Sequence, residues 1–378
     1  MSISKVLRVL ALLLAAPLVW SQGNGKLQIH FIDVGQADGA ILISPGGQVA
    51  AFDIGQDVVR KDCTKAAAYY DQLGLTKLDY LFISHYHQDH IGCVPAVLES
   101  RNVANAEDRG STYASSFYTN YAKAVQSVRH TASAGQKFVL DETSAHPVTL
   151  KVYAVNANGQ KTSNENDLSL ALTISYGGFR AEIGGDLSGD NTANYIDVES
   201  GVAPQVGKLD VYKVHHHCSS HSSNQTWMDT TKPTVAIISD GDNNRYGHPA
   251  EDCLERLHSA GTKTYWTEQG VGTPAPGWDV VAGTTVVTVN LDAGQFTVQH
   301  GSTTDTYTIA GATPPSDTGA GTTTTTTSQP TSYSWSKNSK IYHYSNCDWV
   351  KTISADNLQT GTEPPNGRKL HKGCPTQH

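Results

Sequence analysis

The chain has 378 residues, with 27 Lys and Arg against 35 Asp and Glu, for a formal net charge of −8 at pH 7. That length admits one large domain or two ordinary ones, and the acidic balance argues against a general polyanion binder. Beyond the leader no apolar run approaches the ~18–20 residues of a spanning helix, so a soluble mature protein with no membrane span is expected.

In chain order the first segment is "MSISKVLRVLALLLAAPLVWSQ", in which Lys5 and Arg8 precede an apolar run from Val9 to Val19. The pattern predicts a secretory signal over residues 1–21, cleaved after Ser21, and hence a secreted or periplasmic protein. "KLQIHFIDVG", "GAILISP" and "QVAAFDIG" follow as apolar runs broken by Gly and Pro, and read as successive strands. "TKAAAYYDQLGL" has helical spacing, and "KLDYLFISH" reads as a buried strand. Further strands are predicted at "VTLKVYAV", "LSLALTISYG", "FRAEIGGD" and "LDVYKVHHH", an amphipathic helix at "AEDCLERLHSAG", and a terminal hairpin at "TVVTVNLDAGQFTVQH". Strands and helices mix throughout, so the class is α/β or α+β.

Residues 311–333 change character: "GATPPSDTGAGTTTTTTSQPTS" has almost no apolar content and predicts a disordered linker. It separates a main domain over 22–310 from a small unit over 334–378. That unit has six Lys and Arg against three Asp and Glu, and the leader adds two basic residues, which leaves residues 22–333 at −13. The six cysteines fall in neighbouring twos, Cys63 with Cys93, Cys218 with Cys253 and Cys347 with Cys374. Those are the pairings expected of an exported protein, chosen from the several connectivities six cysteines allow.

His85, His87, Asp89 and His90 form H-x-H-x-D-H directly after a buried strand, a spacing that gathers imidazoles and a carboxylate on one short loop. Zinc takes about four N and O ligands of this kind per ion, so two ions need distal ligands as well. Asp186 closes the strand "RAEIGG" beside two glycines, and His215, His216 and His217 close "LDVYKV". On an extended segment neighbours face opposite ways, so the three histidines cannot all reach one ion.

With these residues in order, the chain resembles the metallo-β-lactamase superfamily, whose hallmark is H-x-H-x-D-H followed by a bridging Asp and a late His. More narrowly, it is similar to the hydrolase domain of ComEC-type DNA-uptake competence proteins. "FIDVGQADG", "AAFDIG", "NDLSLAL", "VYKVHHHCSS" and "NNRYGHPAEDCLERL" match that family's motifs in order over residues 27–310. The resemblance implies an αββα sandwich and a dinuclear site. His85 and His87 would bind one metal, Asp89 and His90 the other, with Asp186 bridging. His217 is expected as a ligand and His216 as a substrate contact, the order of these two being open. His248 is expected to line the site and to join Asp89, Asp186 and His216 in catalysis. Asp33 and Asp53 are expected to line it and orient ligating imidazoles. The sequence departs from the family in "GQAD" for G-Q-G-D, in Cys218 for a glycine, and in Asn166, where many superfamily members have a histidine. One half of the site is therefore poorer in strong ligands, with zinc the first expectation and manganese the second. His130 and His146 are read as structural or exposed rather than as substitutes.

The implied chemistry is hydrolysis by metal-bound hydroxide. The substrate expected from the resemblance is a phosphodiester, with DNA the first example. Small phosphodiesters, lactams or lactones are the alternative substrates, and a non-catalytic exported binding protein is the alternative role. The tail resembles small Ada-like metal-binding modules, and His343, Cys347, Cys374 and His378 are expected either as a second metal site or as a Cys347–Cys374 disulfide. Its Trp and Tyr residues beside Lys and Arg suggest binding to nucleic acid or to a cell surface, or simply a small core.

Overall fold

The computed structural model describes residues 23–311, 333–337, 340–344, 350, 357–361, 365 and 368–370. The expected signal with its cleavage point, the linker from residue 312, and Cys347, Cys374 and His378 lie outside them. The first half of the chain builds β1 (Leu27–Phe31), β2 (Gly39–Ile43), β3 (Val49–Ile54), β4 (Lys77–Phe82), β5 (Asn102–Asp108) and β6 (Arg129–Thr131). The second builds β7 (Lys137–Leu140), β8 (Val148–Ala154), β9 (Ala171–Tyr176), β10 (Phe179–Ile183), β11 (Val211–Lys213), β12 (Val235–Ile238), β13 (Lys263–Trp266) and β14 (Asp279–Val281). The chain then returns to the first sheet with β15 (Thr285–Asn290), β16 (Gln295–His300) and β17 (Thr303–Thr308). The sheet orders are β17-β16-β15-β1-β2-β3-β4-β5-β6 and β14-β13-β12-β11-β10-β9-β8-β7.

Each sheet is antiparallel on one side and parallel on the other, β3 to β6 and β10 to β14 being parallel. Strand alternation sorts the side chains into layers. Leu27, Ile29, Leu42 and Phe52 meet Leu150, Ile174, Val211 and Ile237 between the sheets. The opposite faces of the same strands, Ile41 and Ala51 in one sheet and Tyr212 and Ala236 in the other, lie under helices. On the first sheet these are α1 (Thr64–Gln72), α2 (Gln88–Ile91), α3 (Val94–Leu98) and α4 (Ser116–Val125). On the second they are α5 (Glu199–Val206), α6 (Gln225–Thr231) and α7 (Glu251–Ser259). The result is a helix–sheet–sheet–helix sandwich, the expected fold. Covering both faces is why the central strands are buried along their whole length.

Three sequence expectations need correction. The terminal hairpin is a three-stranded meander, because β17 pairs with β16. The strand before the triple histidine stops at Lys213, so His215–Cys218 is a tight turn and not an extended end. The strands and helices of residues 102–140, 199–206 and 225–238 had no counterpart in the sequence reading. Two of the three expected disulfides are present. Cys63–Cys93 joins the starts of α1 and α3, and Cys218–Cys253 ties the histidine turn to α7, with Cα–Cα distances of 5.4 and 5.6 Å. In the tail, β18 (Tyr333–Ser336), β19 (Ile341–Tyr344), β20 (Leu358–Gly361) and β21 (Lys369–Leu370) form one small sheet. No helix among the described residues is long and apolar enough to cross a membrane.

Candidate metal centre

The strand ends that carry chemistry lie together at the carboxyl edges of the parallel strands, where open α/β sheets place their ligands. β4 leads to His85 and His87, α2 carries Asp89 and His90, β10 leads to Asp186, and β11 leads to His216 and His217. Two glycines permit the approach. A Cβ on Gly55 would stand 1.8 Å from the Asp89 carbonyl oxygen, and one on Gly185, at φ +57, would stand 2.5 Å from Ser84 Cβ.

Asp186 sits among four imidazoles. Its Oδ1 is 3.3 Å from His90 Nε2 and 3.8 Å from His217 Nε2, and its Oδ2 is 3.7 Å from His216 Nε2 and 3.9 Å from His85 Nε2. Asp89 Oδ2 is 3.6 Å from His217 Nε2, and His87 Nδ1 is 3.0 Å from His85 Nε2. Two ligand trios arise, His85 with His90 and Asp186, and Asp89 with His90 and His217, each with its ligand atoms within 4.8 Å of one another. His90 Nε2, His217 Nε2 and Asp186 Oδ1 are buried and have no hydrogen-bond partner. Leaving such groups unpaired costs about 1–3 kcal/mol each, and more when charged, so the donor set fits a divalent cation. The far nitrogens of His90, His217 and His85 are engaged. His90 Nδ1–H donates to Asp53 Oδ2 at 2.8 Å, His217 Nδ1–H donates to the Ser239 carbonyl at 2.6 Å, and His85 Nδ1 lies 3.1 Å from Ser84 Oγ. Such contacts fix each ring so that Nε2 faces inward. Asp38, Asp53 and His90 form a third trio, but His90 spends its Nδ1 on Asp53, and Lys213 Nζ donates to Asp38 Oδ2 at 2.8 Å. That trio is a support.

The electrostatics follow from burial set against charge. Burial would depress His217, but Asp38, Asp186 and Asp89 outweigh it and push the ring up to about 9. His90 is opposed by burial in the same way and is held well above its ordinary value by Asp186 and Asp53. Burial drives His85 well below the ordinary value, with His90 and His87 adding to it. It takes His216 down to about 4 against the pull of Asp186, and His248 down to about 3 with help from His217 and His216. Burial would raise Asp89, yet the His217 ring at 3.6 Å and the charge of His90 bring it to about 2.

The remaining expected residues fall as follows. His216, His248, Asn166 and His87 line a cleft of about 380 Å³ together with Asp89, Asp186 and His217. Asn166 Nδ2 donates to His216 Nε2 at 3.1 Å. His215 turns away into a buried network, 2.7 Å from Glu199 and 3.2 Å from Glu182. The three histidines thus do diverge, but through left-handed backbone at His216, His217 and Cys218 (φ 51°, 52° and 60°) and not through strand alternation. Asp33, expected to line the cleft, does not. Its carboxylate is taken by Lys65 at 2.7 Å, and Asp38 is the acid of that loop that reaches His217 Nδ1, at 3.4 Å. Both belong to "FIDVGQADG", but β1 ends at Phe31 and the chain brings Asp38 back only where β2 begins. His130 and His146 are exposed and line no part of the cleft. In the tail, His343 is buried and sits opposite Ser334 in the small sheet. Sequence reasoning also missed Lys213, Ser84 and a buried clamp in which Arg109 pairs with Glu165 at 2.6–2.8 Å. Glu165 accepts from the backbone N–H of Tyr86, between two of the metal-loop histidines, at 2.9 Å. Lys213 lies in "VYKVHHH" and was legible as a motif residue. The clamp has no spacing signal.

The profile of the metallo-beta-lactamase superfamily matches residues 28–117. ComE operon protein 3 of Bacillus subtilis (strain 168) is 26% identical over 288 residues, 69% of this chain and 34% of that protein. Competence protein ComA of Neisseria gonorrhoeae is 26% identical over 258 residues, 67% of this chain and 31% of that protein. The chain therefore spans about a third of the length of these relatives. Among solved structures, metallo-beta-lactamase SMB-1 aligns over 49% of this chain and 78% of its own at 12% identity, with a TM-score of 0.32, too low to carry an inference.

Proposed function

We propose that this chain, which carries a metallo-beta-lactamase superfamily domain related to those of competence proteins, is an exported dinuclear metal-dependent phosphodiesterase. The observation that carries the reading is the Asp186 carboxylate, with two imidazoles facing each oxygen at 3.3–3.9 Å. His85 and His87 would hold one ion, Asp89, His90 and His217 the other, and Asp186 would bridge. Zinc is the first choice and manganese the second. Bound ions would supply Lewis acidity, lowering the pKa of a water toward ~7 and stabilising charge on a phosphoryl oxygen.

The chain's own groups complete the task. Asp89 is ionised across the working range and can take the nucleophile's proton. His216 accepts from Asn166 through Nε2, which fixes its neutral ring on the wall of the cleft beside Asp186 as a substrate contact. His248, also neutral, lines the same wall as a second contact 5.5 Å away, ring centre to ring centre. The two disulfides and the leader support export. DNA is the substrate class suggested by the competence resemblance. The 334–378 unit is proposed as a separate binding module joined by the 311–333 linker.

The test is hydrolysis of bis-4-nitrophenyl phosphate by zinc- or manganese-loaded protein, abolished by chelation and lost at least a hundredfold in Asp186→Asn. Rapid turnover of a chromogenic cephalosporin with no diester hydrolysis would overturn the reading in favour of a lactamase.

A further inference from the structure

Resting on the phosphodiesterase reading, we infer that the cleft selects short, base-bearing diesters, holding a base by stacking instead of holding a strand by charge. Rings succeed one another along its wall. Tyr195 stands 5.9 Å from His216, His216 5.5 Å from His248, and His248 5.9 Å from Tyr246, centroid to centroid. The two histidines sit beside the Asp186 end of the cleft, and a tyrosine closes the file on each side. Tyr195 is fixed by His221, stacked on it at 4.5 Å, and Asp190 holds His221 at 3.0 Å. Tyr246 presents 53% of its surface to solvent while lining the cleft. A planar base can lie on either ring, since every base offers a π-face.

Charge points the same way. Among the described residues that line the cleft there is no Lys or Arg, and its carboxylates, Asp89 and Asp186, both face the candidate metal positions. Proteins that track a long strand use a positively charged groove, and their affinity falls steeply with salt. Here residues 22–333 carry −13. A volume of about 380 Å³ belongs to a small-ligand site and not to a strand channel.

The experiment compares two esters with the same leaving group, thymidine 5′-(4-nitrophenyl) phosphate and methyl 4-nitrophenyl phosphate, using the metal-loaded full chain. The nucleotidyl ester should show a kcat/KM at least tenfold higher, expressed in KM. Tyr195→Ala and Tyr246→Ala should shrink that ratio roughly tenfold, the loss of one stacked base. Tyr195→Phe and Tyr246→Phe, which keep the ring, should preserve it. A single strand of about 20 nucleotides should be hydrolysed no faster per diester than a dinucleotide, with a shallow salt dependence. Equal kcat/KM for the two esters, a ratio untouched in both alanine variants, or a strong salt-sensitive preference for the long strand would each overturn the inference while leaving the phosphodiesterase reading intact. If neither ester is hydrolysed, the phosphodiesterase reading itself fails and takes this inference with it.

Discussion

Asp53 shows how much of the site depends on a residue that never faces the cleft. At the end of β3 its backbone is left-handed (φ 49°), and its carboxylate accepts from Ser84 N–H at 2.8 Å, Ser84 Oγ–H at 2.7 Å and His90 Nδ1–H at 2.8 Å. Asn tolerates that backbone well, so Asp53→Asn removes the charge and the acceptor geometry with little backbone penalty. Zinc affinity, read by competition with a chromogenic chelator, should fall 10–100-fold. The site's protons make a second prediction. Without a cation, His90 and His217 are held protonated at pH 7 by the surrounding carboxylates, the latter with a pKa of about 9. Both must lose that proton to bind an ion, so affinity should rise with pH through 6, 7 and 8. Calorimetry in buffers of different ionisation enthalpy should show about two protons released per chain at pH 7. No release would mean that neither ring is a ligand. The H-x-H-x-D-H loop, Asp186 and the late histidines were legible because each side chain closes an apolar run. Asp38 was not, because nothing local distinguishes it from Asp33, and only the return of the chain into β2 decides which acid turns inward.

The turn at His215–Cys218 is the element where local reading failed. An apolar run leading into three histidines suggested continued strand, and no glycine announced three successive left-handed residues. Cys218, at φ 60°, stands where relatives of this type are expected to have glycine, a residue that occupies that region without a Cβ clash. Its bond to Cys253 on α7 holds the turn instead. In a Cys253→Ala background, Cys218→Gly should therefore be more stable to urea than Cys218→Ala by roughly 1 kcal/mol, the left-handed penalty. Equal stability would show that the turn relaxes once the bond is gone. The Arg109–Glu165 clamp acts at the same scale on the other loop. Arg109 also lies over the Tyr86 ring at 4.3 Å. Removing one partner strands a buried charge at a cost of about 3–5 kcal/mol. Arg109→Met should thus lower stability by that amount, whereas Arg109→Met with Glu165→Leu should recover part of it while still loosening the histidine loop.

At the scale of the whole molecule, the sandwich was legible in its inner strands, because burial on two faces leaves a continuous apolar signature, and illegible where short strands such as β12 give no period. One of the polar contacts that join the two halves is a cluster around Glu268. Its carboxylate lies 2.9 Å from Arg60 and 2.6 Å from Lys65, both in the first half of the chain, and accepts from the backbone N–H of Asp242 at 2.7 Å. Burial would raise its pKa, but those donors bring it down to about 2 from an ordinary 4.5. A carboxyl depressed in the folded state adds stability that is complete above its unfolded value and is lost as pH falls through the folded one. The urea midpoint should therefore drop between pH 4.5 and about 2, and part of that drop should be absent in Glu268→Gln, whose deficit against the parent narrows across the same window. A deficit that stays constant with pH would show that the contact acts through packing and not through charge, and would leave the acid sensitivity of the sandwich to the buried carboxylates of the candidate metal centre.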